Sequence, residues 1–271
     1  METSSFSFTA LYTGETWVAN GLSVPELRTP GGELMYRALA PMEWAGKALF
    51  GTNLRHMLVE RHVAIDRLLI GMIEDMPGAQ VLEIACGLSA RGCRFSRQFP
   101  DLRYVEADLP QMAAMKVGAL SRVPGLSSNH AVVALDILAE EGPASLATVL
   151  ASTFDASRPV VVISEGLMNY FPLPVVSTVW RRMAKDLRRF PAGAYLSETY
   201  CPPGRRLFRA ATTLGAAGLR LVSRSSAGIL FKTPEAAARH LEDCGFDTTE
   251  IARIDKVAPL AILTARLAPA A

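Results

Sequence analysis

The stretch AQVLEIACGLSARG, residues 79–92, decides how the chain is read. An apolar run comes first, then Gly87, then small and polar residues that open a helix. This is a strand, a tight turn and a helix start. Gly87 has no Cβ, so backbone there can approach a ligand closely. The helix that follows would turn its first N–H groups toward the same spot. Glu83 lies inside the end of the strand, and a second acidic segment, YVEAD, follows at 104–108.

Outward from this unit a regular alternation continues. Strands are expected at 79–86, 102–108, 130–136, 159–166 and 193–200. Helices fall between them: 89–99 before Pro100, one opening at Pro110, one near 143–153, and one over 173–190. The strands are short and almost continuously apolar, which marks a parallel sheet covered on both faces. Right-handed crossovers then bring the strand C-terminal ends to one edge, where open α/β sheets bind ligands. Acids recur there: Glu83, Asp108, Asp136 and Glu165. A helix over 234–245 and two strands at 248–257 and 259–267 close the chain. Their very short connection makes those two strands antiparallel. The fold class is therefore α/β, a mostly parallel seven-stranded sheet with an antiparallel end.

Two regions stand outside the alternation. Residues 1–53 interleave aromatics and glycines, with short helices expected around 33–39 and 43–50. They form either an extension packed on the main domain or a lid whose Tyr12 and Trp17 close a pocket. The main domain, 54–271, opens with an amphipathic helix over 54–74. It is interrupted at about 201–233 by a segment with five arginines, one lysine and no acid. That segment is either a basic solvated surface or a cap favouring an anionic substrate.

The composition narrows the partners. A formal charge of +2 on 271 residues gives no case for nucleic acid or a membrane surface. The first ten residues lack the features of a secretory signal and no run reaches membrane-spanning length, so a cytoplasmic location is expected. Cys86, Cys93, Cys201 and Cys244 show no paired metal spacing and read as buried free thiols. No metal is expected, and a homodimer is compatible with the sequence.

The turn's ligand follows from what its residues lack. Gly87 and Gly92 have P-loop spacing, but Cys93-Arg94 stands where Lys-Ser/Thr is needed. Ala85 stands where a dinucleotide fingerprint needs its first glycine, which disfavours a nicotinamide enzyme. One glycine with an acid four residues earlier fits S-adenosylmethionine, which has no pyrophosphate to cradle. That cofactor needs an acceptor for its ammonium group, contacts for its carboxylate and an acid for its ribose. Asp108, 21 residues past Gly87, is placed for the ribose or else caps the next helix. Asp136 with Ile137 is placed to hold the adenine, or caps a turn. Glu165 closes a buried strand and needs a partner, which the ammonium or sulfonium side of the cofactor would supply. Tyr170 lies near the same edge.

Three segments together, EIACGLSARG, YVEADLPQMAAMK and SEGLMNYF, resemble the leucine carboxyl methyltransferase-like group of class I methyltransferases, which includes polyketide O-methyltransferases. The resemblance covers roughly residues 55–200, and YTGETWVANGLS near the N-terminus looks like the small-molecule branch. It implies a Rossmann-like class I methyltransferase fold with S-adenosyl-L-methionine bound across Gly87, Asp108, Asp136 and Glu165. It also implies that Arg61 reaches the cofactor carboxylate; on its own pattern Arg61 reads as a solvated helix charge. The family usually has glycine where Ala85 stands, and commonly Asp-Thr where Ser89-Ala90 stand. Arg91 is retained, to orient a carboxylate or to pair locally with an acid.

Methyl transfer from a sulfonium is an in-line displacement, to which orientation contributes roughly 7–11 kcal/mol. No histidine among His56, His62, His130 and His240 is placed as a base at the strand edge. A carboxylate needs no base at neutral pH, whereas a phenol gains from one. The expected reaction is O-methylation of a small, anionic or aromatic acceptor, first a carboxylate, with Arg91, Tyr170 or the cap arginines orienting it. The alternatives are methylation of a phenol or enol and, from another class, a binding subunit without turnover.

Overall fold

The computed structural model describes residues 8–201, 228–254 and 260–268. The expected cap, including Arg205, Arg206, Arg209, Arg220 and Arg224, lies outside them apart from its two ends. Seven strands form one sheet: β1 (Gln80–Ile84), β2 (Tyr104–Asp108), β3 (His130–Ala134), β4 (Val160–Ser164), β5 (Gly193–Tyr200), β6 (Thr248–Arg253) and β7 (Leu260–Leu267). Their order is β3-β2-β1-β4-β5-β7-β6. The first five in that order run parallel, and β7 is antiparallel to both β5 and β6. The chain moves outward from β1 through β2 to β3, then returns to add β4 on the other side of β1. The switch point, where such sheets hold ligands, therefore lies between β1 and β4.

The alternation of side chains along the strands sets two cores. On one face Val81, Tyr104, Val161, Ile163, Ala194 and Leu196 pack under α4 (Leu54–Asp75) and α5 (Arg91–Gln98), against Ile65, Leu69, Met72 and Phe95. On the other, Leu82, Ile84, Val105, Val160, Val162 and Tyr195 pack under α7 (Leu146–Thr153), α8 (Leu173–Leu187) and α9 (Pro234–Asp243). α6 (Pro110–Leu120) follows β2 with Pro110 at its first turn, as its fixed φ favours. Asn53 starts α4 by accepting a 2.8 Å bond from His56 N.

The N-terminal region is helical: α1 (Phe8–Ala19), α2 (Pro30–Ala38) and α3 (Ala40–Phe50). The first of these was not evident from the sequence, where aromatics and glycines interleave over 12–21. Tyr12 does not face a pocket. It is 2% exposed; its hydroxyl donates to Glu43 (2.7 Å) and accepts from Arg55 Nε (3.2 Å). Arg55 also lies 3.5 Å over the Tyr36 ring, so these groups bolt α1, α2 and α3 to the start of α4. Burial first, then the bond to Glu43, raises the Tyr12 pKa, so it stays a neutral phenol. Trp17 packs on His62, ring centroids 4.7 Å apart. Gly14 sits against the turn after β1: a Cβ there would lie 2.9 Å from Leu88 Cβ. Helix α1 thus rests directly on the loop expected to hold the cofactor.

That loop carries one strained residue. Ala85 has φ +53°, the left-handed region that costs a non-glycine residue about 1–2 kcal/mol. Gly87, at φ +47°, adopts it without that cost. Ala85→Gly should therefore raise stability by roughly 0.5–1 kcal/mol after the extra unfolded-state entropy of glycine is subtracted. For a chain of this size that is about 1–2 °C in Tm, read by calorimetry; a fall in Tm would show that the turn is not strained.

Candidate active site

The geometry at the switch point is built around one side chain. Arg91 is the first residue of α5 and is 0% exposed. Its Nε donates to Asp66 Oδ1, its Nη1 to Glu83 Oε1 and its Nη2 to Glu165 Oε2, each at 2.6 Å. Three carboxylates from α4, β1 and the end of β4 thus converge on one guanidinium. Its planar fork and permanent charge suit that role. Burial works against its charge, but Glu83, Asp66 and Glu165 outweigh it and its pKa lies well above the ordinary value.

The second row of the network completes each carboxylate. Glu83 Oε2 accepts from the Tyr104 hydroxyl at 2.8 Å. Asp66 Oδ2 accepts from Arg94 Nη2 at 2.6 Å. Glu165 Oε1 accepts from Arg61 Nε at 2.9 Å. His62 closes the ring: its Nδ1 is 2.9 Å from Glu165 Oε2 and its Nε2 is 2.9 Å from Arg94 Nη2. Nδ1 is also 2.8 Å from Arg91 Nη2, so each ring nitrogen faces a guanidinium donor, and Nδ1 faces Glu165 as well. Burial and then Arg91 push the His62 pKa down, which keeps the ring neutral. For Asp66 and Glu165, burial would raise the pKa. The cationic neighbours win, Arg91 foremost for Asp66, and both carboxyls lie below the usual range.

This placement shows what each expected site residue touches. Arg91 is sealed inside the helix–sheet layer and pairs with acids, the second of the two roles the sequence offers it. Each oxygen of Glu83 takes a protein donor, Arg91 on one and Tyr104 on the other, so Glu83 holds Arg91 in place. Glu165 is likewise engaged at both oxygens by Arg61, His62 and Arg91. Ile137 is 7% exposed and packs in the core, and its carbonyl accepts from Arg182 Nη2 at 3.1 Å. Asp136 Oδ1 accepts from Leu138 N at 2.9 Å, a turn-capping bond.

Asp108 stands at the turn itself. Its Oδ2 accepts from Gly87 N and its Oδ1 from Leu109 N, both at 2.8 Å. Burial raises its pKa, and the two amides offset part of the rise. A carboxylate offers about four acceptor sites, so both oxygens keep capacity for hydroxyl donors. Ala85 precedes Gly87 in the same turn, and a Cβ on Gly87 would meet nothing within 4 Å. Tyr170 ends a short 3-10 turn, Met168–Tyr170, beyond β4 and is partly buried. The first amides of α5 point inward: Arg91 N bonds Ser89 Oγ (3.1 Å) and Gly92 N bonds Glu106 Oε1 (3.2 Å). Glu106 also pairs with Lys116 (2.9 Å) and His130 (2.8 Å). Burial would raise its pKa, but Lys116 and the hydrogen bond with His130 hold it at about 2. This second buried cluster fixes α5 and α6 to β2.

Glu198 and Tyr200, on β5, were absent from the sequence reading. Glu198 is 4% exposed. Its Oε1 accepts from Gly166 N at 2.9 Å and lies 3.8 Å from Arg61 Nη1. Its Oε2 is buried without a hydrogen-bond partner. The Tyr200 hydroxyl accepts from Arg61 Nη1 at 2.8 Å. Burial pushes the Glu198 carboxyl up, Arg61 opposes this and Glu165 adds to the rise. Among the described residues no cluster suited to a metal occurs, and the four cysteines are free and buried.

A family model, leucine carboxyl methyltransferase, matches residues 29–184. The chain belongs to that family, and its architecture is the Rossmann-like class I methyltransferase fold. A provisionally named S-adenosyl-L-methionine-dependent methyltransferase of Mycolicibacterium vanbaalenii is 38% identical over 99 residues, 35% of this chain and 30% of that one. Leucine carboxyl methyltransferase 1 of Eremothecium gossypii is 27% identical over 160 residues, 52% of this chain and 46% of that one. The chain thus spans less than half the length of these curated relatives. Among solved structures, a DUF574 family protein from Streptomyces avermitilis superimposes with a TM-score of 0.65 at 14% identity, covering 96% of this chain and 97% of that one. The family uses S-adenosylmethionine. The residues present fit it: open space before Gly87, acceptor capacity on Asp108 and an unpartnered carboxylate oxygen on Glu198.

Two outcomes test the buried network. Arg91→Met removes the shared partner of three buried carboxylates and should cost about 3–5 kcal/mol in urea unfolding; a loss under 1 kcal/mol would mean the network is replaceable. The pH dependence has one sign for His62, Asp66 and Glu165. His62 binds its proton more weakly folded than unfolded, so stability falls as pH drops below about 6.5. Asp66 and Glu165 have depressed pKa values, so their contribution is full above about pH 4.5 and is lost as pH falls further. Denaturant midpoints from pH 8 to 4 should show the first loss in the wild type and a smaller one in His62→Gln.

Proposed function

We propose that this protein is an S-adenosylmethionine-dependent O-methyltransferase that forms a methyl ester on a small carboxylic acid. The bound cofactor supplies an electrophilic methyl group on a sulfonium. The observation carrying the reading is that none of the four histidines is available as a base at the switch point. His62 is 0% exposed and wired between Glu165 and Arg94. His56 lies on the outer side of α4 near Glu60, His130 bonds Glu106, and His240 is 2.7 Å from Ser177 Oγ. A carboxylate acceptor is already ionised and gives up no proton. The family name and that of the Eremothecium gossypii relative point to the same class of acceptor.

In this reading the residues divide the work. Gly87 lets the chain pass close beneath the cofactor, and Asp108 receives its ribose hydroxyls. Arg91 and its carboxylates fix α5, β1 and β4 so that the edge does not shift as ligands enter. Tyr170, on the turn beyond β4, takes the role of orienting the acceptor. Catalysis then rests on proximity and alignment.

The test uses methyl-labelled S-adenosylmethionine and a small-molecule extract of the source organism. Label transferred by the enzyme should be released as methanol by mild alkali. Label retained as a base-stable ether would assign the acceptor to the phenol or enol class. An absence of transfer together with no cofactor binding by calorimetry would favour a binding subunit.

A further inference from the structure

The charges gathered at the switch point do not balance. Four carboxylates, on Asp66, Glu83, Glu165 and Glu198, face three guanidiniums, on Arg61, Arg91 and Arg94. His62 adds no charge, because burial and Arg91 keep it neutral. Asp66, Glu83 and Glu165 each have both oxygens bonded to protein donors. Glu198 is the exception. One oxygen is tied to Gly166 N at the turn leaving β4, and the other is buried with no partner. Arg61, its nearest cation at 3.8 Å, already donates to Glu165 and Tyr200. A buried carboxylate oxygen without a donor costs stability, roughly 1–3 kcal/mol for the unmade bond alone. Such an atom persists where a ligand supplies the missing donor.

The position narrows which donor. Glu198 is on β5 beside Gly166, at the C-terminal edge of the strands, next to Arg61 and one strand from the switch point. Its side chain shares the α4 face of the sheet with Leu196. The missing partner must be a cation or a strong N–H donor to offset the extra negative charge. Glu83 and Glu165, the acids that the sequence offers first for the cofactor's amino group, already have a protein donor on each oxygen, whereas Glu198 Oε2 has none.

We propose that Glu198 Oε2 is the acceptor for the α-ammonium group of the S-adenosylmethionine amino-acid moiety, with Arg61 beside it on the carboxylate side. The assignment rests on S-adenosylmethionine being the cofactor, and makes Glu198 a specificity determinant for the amino-acid end of that ligand.

The experiment compares two ligands by calorimetry on the full chain: S-adenosylhomocysteine, and its deamino analogue, in which hydrogen replaces the amino group and the carboxylate is kept. The wild type should prefer S-adenosylhomocysteine by at least tenfold. Glu198→Gln, which keeps the size and the bond from Gly166, should abolish that preference and leave the deamino analogue's affinity within threefold of wild type. A variant that keeps the wild-type preference would overturn the assignment. Failure of the wild type to bind S-adenosylhomocysteine would instead remove the cofactor reading on which it rests. Thermal unfolding of the ligand-free variant guards against a structural role. Removing an uncompensated buried charge should leave Tm unchanged or higher, and a marked fall would mean that Glu198 serves the fold.

Discussion

Everything at the switch point depends on burying one guanidinium among three carboxylates. Arg91 joins α4, β1, α5 and the end of β4 through bonds of 2.6 Å. Each partner would be costly alone in that layer, and each becomes tolerable because the others are present. The arrangement explains why α5 starts where it does. Ala90, its N-cap residue, offers no side-chain cap, yet Ser89 and Glu106 take the first amides and Arg91 anchors the first turn from within. It also explains the rigidity of this sheet edge. The elements carrying Gly87, Asp108 and Gly166 cannot slide relative to one another without breaking several charge-assisted bonds at once.

The sheet was legible from the sequence because its signals are local. Apolar runs, the turn at Gly87, Pro110 opening a helix and the short strands set the seven elements within a few residues of their observed ends. The parallel order followed from the alternation, and the antiparallel end from the close spacing of the last two strands. The site was less legible, because an acid in a strand shows its presence but not its partner. Glu83 and Glu165 look alike to a ligand or to Arg91 until α5 is docked. A signal for the network did exist. Arg61, His62 and Asp66 share the buried stripe of α4 with Leu58, Ile65, Leu69 and Met72, and polar groups in such a stripe must pair inward. Glu198 carried a similar sign, since it shares one face of β5 with Leu196 and Ala194. Helix α1 was hidden by glycines, and Gly14 is there for close contact with Leu88, not to make a turn.

The turn after β1 differs from a phosphate site in where its amides go. Gly87 N is taken by Asp108, Arg91 N by Ser89 and Gly92 N by Glu106. A pyrophosphate loop presents such groups outward. Here they point to protein oxygens, and the loop offers acceptor atoms and room instead of donors. That matches a cationic ligand with hydroxyls to place, and agrees with the missing glycines that set the loop apart from the two phosphate-binding patterns.

On the proposed reading, the charges also fit the reaction. A sulfonium and a carboxylate together become a neutral thioether and a neutral ester, so charge disappears along the coordinate. A water-poor site with low effective dielectric favours such a step, because the reactants lose more hydration than the transition state does. A fixed base or an exposed arginine at the reacting oxygen would work against this by stabilising the starting carboxylate. Arg91 is withdrawn into the layer beneath, and His62 is neutral and occupied. Glu198 lies on the amino-acid side, where the ammonium keeps its charge throughout. Its attraction would be equal before and after transfer. It would therefore hold the cofactor without taxing the chemistry, as uniform binding does.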